Sequence, residues 1–241
     1  MSSGNINEKR ESVGAMFDEI APRYDFLNHF LSFGIDKLWR RKAIRIISRT
    51  HSGCDILDVA TGTGDLAIAS MKLTPRHVTG IDISEKMLSS GREKISRLGL
   101  SGTIDLQSGA SENIAFPDNS FDVAMSSFGV RNFADTLAGL REMGRVLREG
   151  GMIMVLEFSR PSTFPFSQLY RLYFLHILPA IGRLFSKSRN AYRYLPDTVM
   201  KFPENRAFLD LLEEAGFSEV RQKRLSGGIA SIYTGIIKRK Q

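Results

Sequence analysis

Cysteine is almost missing: Cys54 stands alone among 241 residues, so no disulfide can form within the chain. The plain reading of that thiol is a small buried hydrophobe. Long apolar runs are missing as well. The longest stretch without a formal charge, Leu225–Ile237, has 13 residues, short of the ~18 that a membrane-crossing helix needs. The opening residues, MSSGNINEKRES, hold no apolar run, so no secretory signal is read and the chain is expected in the cytoplasm. The four histidines (His29, His51, His77 and His176) show no metal-ligand spacing, and no P-loop, Gly-x-Ser-x-Gly elbow, HExxH or CxxC occurs. No metal is expected. Internal repeats and low-complexity linkers are absent too. With 42% hydrophobic and 24% charged residues, the chain reads as one globular domain over residues 1–241.

Positive charge is in excess, and it is unevenly placed. Residues 1–160 hold 20 Lys+Arg against 20 Asp+Glu, whereas residues 161–241 hold 13 against 6, which accounts for the whole net charge of +7. A basic last third suits nucleic acid, an anionic membrane, a phosphorylated substrate or solvent alone, and composition does not choose among them.

The centre of the chain alternates strand and helix. Asp55–Ala60 is a short apolar strand ending in a glycine turn, and Leu66–Lys72 follows as helix. His77–Ile81 is a second strand, after which Ser84 caps a helix from Glu85 to about Leu98. Ile104–Gln107 and Phe121–Ser126 are the third and fourth strands. The amphipathic stretch Asp135–Arg148 is ended by Gly150-Gly151 before a fifth strand, Met152–Phe158. Strands alternating with such helices predict a parallel sheet covered on both faces. Pro203–Ala215 then reads as helix, and Val220–Leu225 with Ser231–Lys238 as a closing antiparallel hairpin. That ending suits a Rossmann-like methyltransferase better than a dehydrogenase. Two stretches leave this rhythm: a helical N-terminal cap at 15–50, with the basic run Lys37, Arg40, Arg41, Lys42 and Arg45, and an aromatic, basic insert at 160–202.

The first strand runs into Asp58-Val59-Ala60-Thr61-Gly62-Thr63-Gly64-Asp65, and Asp82 stands at the tip of the second. In an open α/β sheet this is the crevice for a nucleotide-like ligand, with the acid on the ribose hydroxyls. Gly62-x-Gly64-x-x-Ala67 also satisfies the dinucleotide fingerprint, so the loop alone is weak. Charge separates the readings. A pyrophosphate would meet Asp58 and Asp65 with no neighbouring cation in the sequence, whereas S-adenosylmethionine is cationic and carries no phosphate.

The segments DVATGTGD, GIDISEKML, AFPDNSFD, SSFGVRNF, RVLREGGMIMVLEFSRP and YRYLPDTVMKFP occur in this order. Together they resemble the menaquinone/ubiquinone biosynthesis C-methyltransferase family from Phe17 to Lys238, and FGVRN, EFSRP and YLP…FP discriminate best. The resemblance implies a class I methyltransferase fold: a mostly parallel seven-stranded sheet with an antiparallel C-terminal hairpin, acting on a ring carbon of a polyprenylated hydroquinone. Demethylmenaquinol is the leading substrate, with the ubiquinol precursor beside it. It implies S-adenosyl-L-methionine contacts at Gly62, Thr63, Asp82, Ile83, Ala110, Ser111 and Ser127. One departure is visible: where such enzymes offer Asn or Asp to the adenine amino group, this chain has Ala110, leaving Glu112 or backbone groups to serve.

Methylating an aromatic carbon needs an electron-rich ring, so the substrate must be the reduced quinol. An unperturbed phenol has a pKa near ~10, so the site must favour the phenolate or supply a base. Arg131 and Asn132 follow the fourth strand at the carboxyl edge. Arg131 cannot be a base, but it can stabilise a phenolate, hold a water or merely close the wall in a salt bridge. Asn132 can orient the ring oxygen, and Tyr24 and His29 are candidates for ring contact or proton relay. In the insert, Phe166, Leu169, Tyr170, Tyr173, Phe174, Leu178, Ile181 and Phe185 recur at helical spacing beside Arg171, Arg183 and Lys187. They read as core packing, or as a lid that rests on an anionic membrane surface and receives the isoprenoid tail. A homodimer is left open. The alternatives are another small-molecule methyltransferase (sterol, amine or phospholipid headgroup), an RNA-binding protein and a quinone carrier. No appended RNA-binding module supports nucleic acid as a partner, and a carrier leaves the acid-flanked loop unexplained.

Overall fold

In the computed structural model, which describes residues 8–21, 34–161, 164, 167–168, 194 and 197–238, the expected alternation of strand and helix is present. A helix over residues 8–21, α1, precedes α2 (Ile35–Ile47), β1 (Asp55–Val59), α3 (Asp65–Ser70), β2 (His77–Asp82) and α4 (Glu85–Arg97). Next come β3 (Ile104–Ser108), β4 (Phe121–Ser127), α5 (Thr136–Val146) and β5 (Leu147–Phe158). The described chain ends with α6 (Arg206–Glu214), β6 (Phe217–Leu225) and β7 (Ala230–Ile237). The seven strands form one sheet in the order β3-β2-β1-β4-β5-β7-β6. β1 to β5 are parallel, and β7 runs antiparallel between β5 and β6.

Successive strand residues point to opposite faces, so each central strand feeds two cores. Ile56, Val123 and Met154 join the apolar cluster beneath α2, α3 and α4, while Leu57, Ala124 and Ile153 join the one beneath α5 and α6. Both faces are covered, which is why these strands read as continuous apolar runs. Helix starts are fixed by side chains: the Ser84 hydroxyl accepts from the Met87 N–H, and the Asp135 carboxylate from the Ala138 N–H.

Three expectations change. Gly150-Gly151 does not separate helix from strand. α5 ends at Val146 and β5 starts at Leu147, with Arg148–Gly151 bulging between the Phe121–Leu147 and Val123–Met152 pairs. The bulge lets Arg148 bond Asp122 (2.8 Å) and Asp55 (3.1 Å), and a Cβ at Gly151 would sit 2.8 Å from the Arg148 carbonyl oxygen. A helix already runs from residue 8, ahead of the cap expected at 15–50. Arg40 leaves the exposed basic run: it is buried, 2.5 Å from Asp36 and 3.2 Å from Asp65. The apolar series from Phe166 to Phe185, the cations Arg171, Arg183, Lys187 and Arg189, and Tyr24 and His29 lie outside the described residues.

Candidate active site

The loop after β1 is held open by backbone conformation. Ala60 (φ 55°), Gly62 (φ 57°) and Gly64 (φ 78°) are all left-handed, a region that glycine enters without steric penalty. α4 presses on the loop through Gly91, where a Cβ would meet the Thr63 carbonyl group at 3.1 Å. At the tip of β2, Asp82 ties this loop to the next turn: Oδ2 accepts from the Gly62 N–H (2.8 Å) and Oδ1 from the Ser84 N–H (2.9 Å). Burial raises its pKa against the pull of those N–H groups.

Asp58 lies beneath the loop and is fully buried. Its Oδ2 accepts from the Thr61 hydroxyl at 2.7 Å, and its Oδ1 has no hydrogen-bond partner. Burial pushes its pKa up to about 7, with the nearby Asp82 charge adding to the rise. Asp65 overturns the charge argument made from sequence. Its carboxylate is met by Lys94 Nζ at 2.8 Å and Arg40 Nη2 at 3.2 Å, cations supplied by α4 and α2 from 29 and 25 residues away. The loop is therefore not uncompensated acid. The reversed β6–β7 hairpin, rather than loop charge, is what separates this fold from a dinucleotide dehydrogenase.

Between the diverging tips of β1 and β4 a cleft of about 850 Å³, open solvent at its mouth included, runs towards β2. This is the switch point where open α/β sheets take ligands, and the size suits a small-molecule site. Of the residues expected from sequence, Gly62, Thr63, Asp82, Ile83, Ser111, Ser127 and Asn132 line it. Ala110 does not, although Gly109 and Ser111 on either side do. Glu112 also lines it, but its Oε1 already accepts from the Ala134 (2.6 Å) and Asp135 (3.2 Å) N–H groups.

Helix α1 was not foreseen at the site. Arg10, Val13 and Phe17 line the cleft, and the helix is pinned at both ends. Lys9 Nζ donates to the Phe133 carbonyl (2.8 Å), and Asp18 Oδ1 accepts from the Ser84 hydroxyl (2.6 Å). No local signal in MSSGNINEKRES announces this, because the partners lie 66 and more residues away.

Arg131 is not a free cation at the cleft. Its Nη1 is 2.8 Å from Oε1 of Glu157 and also donates to the Phe128 carbonyl, while Oε2 of Glu157 accepts from the Arg131 N–H at 3.3 Å. The guanidinium carbon lies 5.5 Å from the centre of the Phe158 ring. Glu157 is wholly buried, and the Arg131 side chain is 7% exposed. Of the roles open to Arg131, this geometry matches the salt bridge that closes the wall. Glu157 escaped notice because only the pairing of Ser127 with Leu156 brings the two strand tips together. Tyr194 lies near enough for the Arg131 charge to oppose the rise that burial imposes on its phenol.

Among the described residues, five buried side-chain atoms have no hydrogen-bond partner: Arg40 Nε, Asp58 Oδ1, Ser126 Oγ, Arg131 Nε and Asn132 Oδ1. All belong to the strand tips and turns around this cleft or to the α2 residue that reaches it. Of the five, Arg40 and Asn132 line the cleft, where a ligand can complete them, since buried polar atoms are rarely left unpaired.

The sheet order and the cleft define a class I methyltransferase fold. A SAM-dependent methyltransferase of Thermotoga maritima superposes with a TM-score of 0.65 at 19% identity, covering 94% of this chain and 100% of that one. The [4+2]-cyclase SpnF superposes with a TM-score of 0.70 at 17% identity, covering 96% and 97% of the two chains. A cyclase on this scaffold shows that the fold alone does not decide the reaction. The sequence narrows it. Residues 4–237 match the ubiE/COQ5 methyltransferase family, and the chain belongs to that family. It is 48% identical over 232 residues to the ubiquinone/menaquinone biosynthesis C-methyltransferase UbiE of Geotalea daltonii, covering 95% of this chain and 98% of that protein. It is 45% identical over 231 residues to the demethylmenaquinone methyltransferase of Bacteroides fragilis, covering 95% and 94%. S-adenosylmethionine is the cofactor that goes with this family and fold. The cleft suits it: Asp82, which lines it, keeps lone pairs beyond the two N–H groups it accepts.

Proposed function

We propose that the chain is an S-adenosylmethionine-dependent C-methyltransferase of quinone biosynthesis that methylates a ring carbon of a polyprenylated hydroquinone, with demethylmenaquinol as substrate. The observation that carries the reading is 45–48% identity over 95% of the chain to relatives named for this reaction. When bound, the cofactor supplies an electrophilic methyl group on a sulfonium. The remaining work falls to the residues of the cleft.

Asp82 takes the ribose hydroxyls, Gly62, Thr63 and Ile83 form the wall beside them, and Gly109 and Ser111 receive the adenine through backbone groups. Ser127, at the tip of β4, faces the methionine side. Asn132 carries the substrate role: its Nδ2 reaches the Phe128 carbonyl at 3.4 Å, which leaves Oδ1 to accept from a quinol hydroxyl. Donating to Oδ1 orients the hydroxyl and polarises its O–H bond, which raises electron density on the oxygen and on the neighbouring ring carbon; the ring hydrogen that the methyl group replaces leaves as a proton to solvent. Arg131 acts from behind as a positioning residue, fixing the Val130–Asn132 turn through Glu157. Alignment of the two reactants in a dry pocket supplies most of the acceleration.

The protein works against an anionic membrane face, where a polyprenylated substrate resides. No helix among the described residues is long and apolar enough to cross a membrane. Extraction of quinones from cells lacking the protein tests the whole reading. A quinone one methyl lighter should accumulate, and an unchanged quinone pool would refute it.

A further inference from the structure

Helix α2 has two unlike faces. Asp36, Trp39, Arg40, Ala43, Ile44 and Ile47 are buried. Trp39 packs against Phe128 and Phe158, with ring centroids 6.1 and 6.3 Å apart, and Arg40 reaches the cleft. α2 is thus fixed to the active-site wall, beside the end of β5 from which the segment 160–202 departs.

The opposite face is exposed and basic. Leu38, Arg41, Lys42 and Arg45 recur at three- and four-residue spacing, with Ile35 before them and Arg49 continuing the line past the helix end. Lys37 flanks this stripe. Leu38 is 56% exposed and Ile35 38%, apolar side chains standing among cations. Among the described residues, none of Lys37, Arg41, Lys42, Arg45 or Arg49 has a carboxylate within 4.0 Å. Elsewhere in the sheet domain the arginines are matched: Arg76 with Asp55, Arg145 with Asp118 and Glu142, Arg148 with Asp122, Arg206 with Asp210. Four uncompensated cations along one stripe, with Lys37 beside it and two exposed aliphatic residues at its start, have no pairing role among the described residues of the fold.

We propose that the outer face of α2 is the surface on which this protein rests against an anionic lipid bilayer, Leu38 and Ile35 entering the headgroup region and Arg41, Lys42, Arg45 and Arg49 meeting lipid phosphates. The charge is complementary to such a bilayer, and a basic face with exposed aliphatic residues has the composition of an interfacial helix. A nucleic acid would use the cations and leave Leu38 and Ile35 without a role. The placement has a consequence for the reaction: with its other face on Phe128 and the cleft, a docked α2 holds the active-site wall at the membrane surface. The proposal rests on the lipid-substrate reading only for the presence of a membrane.

The test is sedimentation with vesicles of phosphatidylcholine containing anionic phosphatidylglycerol, against vesicles of phosphatidylcholine alone. It uses the full chain and the triple variant Arg41→Gln, Lys42→Gln, Arg45→Gln, which retains residues suited to a helix. Each cation near an anionic surface contributes about fivefold in partitioning, so the triple variant should bind roughly a hundredfold more weakly. Leu38→Ser should weaken binding while leaving its salt dependence unchanged. Thermal midpoint, S-adenosylmethionine affinity and methylation of a short-tailed soluble quinol should stay at wild-type levels in both. Wild-type binding by the triple variant overturns the proposal, as does failure of the unmodified protein to bind anionic vesicles. So does α2-dependent binding to RNA without vesicle binding. Failure of the soluble-quinol reaction in the unmodified protein strikes the substrate reading instead, and is scored separately from the vesicle result.

Discussion

Replacing Glu157 by Ala leaves the Arg131 guanidinium buried without its counter-ion. Both side chains are withdrawn from water, at 0% and 7% exposure, so solvent cannot take over the lost partner. Breaking a buried pair from one side typically destabilises by about 3–5 kcal/mol. The Arg131 and Phe158 N–H groups, which the carboxylate accepts at 3.3 and 2.9 Å, lose an acceptor as well. For a chain of this size, ~1 kcal/mol corresponds to about 2–4 °C in Tm, so the loss should be on the order of 6–20 °C. The double variant Arg131→Met, Glu157→Gln removes both charges and keeps a neutral acceptor for the backbone. It should recover most of the stability, since an apolar replacement of a buried pair is often neutral. Urea unfolding of wild type, Arg131→Met, Glu157→Gln and the double variant closes the cycle, with Glu157→Ala measured beside it. A Glu157→Ala variant within ~1 kcal/mol of wild type, or strictly additive effects, would refute the buried-pair account. The same proteins report function: if Arg131 only positions the Val130–Asn132 turn, the double variant should lose kcat while its S-adenosylmethionine affinity holds.

Three further outcomes follow from the site. Asp82→Ala removes an acceptor to which charge-assisted hydrogen bonds contribute about 1.5–3 kcal/mol, so S-adenosylmethionine affinity should fall about tenfold or more; unchanged binding by calorimetry would remove Asp82 from the ribose role. Asp58, pushed up to about 7 by burial, prefers its proton in the folded state. Its contribution to stability is therefore present below the unfolded carboxylate range and is lost as pH rises through about 7. Asp58→Asn should remove that loss between pH 4 and 7, measured by urea midpoints; identical pH profiles would contradict the assignment. Gly91→Ala places a methyl group 3.1 Å from the Thr63 carbonyl group and 2.6 Å from Leu106 Cδ1, so the loop must shift. S-adenosylmethionine affinity should drop with only a modest loss of Tm, and wild-type affinity would show that the α4–loop contact does not shape the site.

The parts that sequence made legible are those governed by neighbours along the chain. The DILDV and HVTGID runs are β1 and β2, Asp82 stands at the β2 tip, and Ser84 caps α4 as its spacing to Met87 requires. The antiparallel β6–β7 hairpin follows from two β-prone runs joined across Gly227-Gly228. What sequence could not show depends on tertiary pairing. Lys94 and Arg40 neutralise Asp65 from two different helices, Glu157 meets Arg131 across the tips of β4 and β5, and α1 is tied by Lys9 and Asp18 to distant partners. Gly150-Gly151 misled for the same reason, because the ion pairs of Arg148 with Asp55 and Asp122 sustain a bulge in a stretch that reads as a helix stop.

The most direct test of the central claim is methyl transfer from S-adenosylmethionine carrying an isotopic methyl group to demethylmenaquinol, with the quinol kept reduced by dithionite. The product should carry one labelled methyl on a ring carbon, and the oxidised quinone should take none. Absence of label in the quinol from a protein that binds S-adenosylmethionine, or equal labelling of the oxidised quinone, would contradict the account.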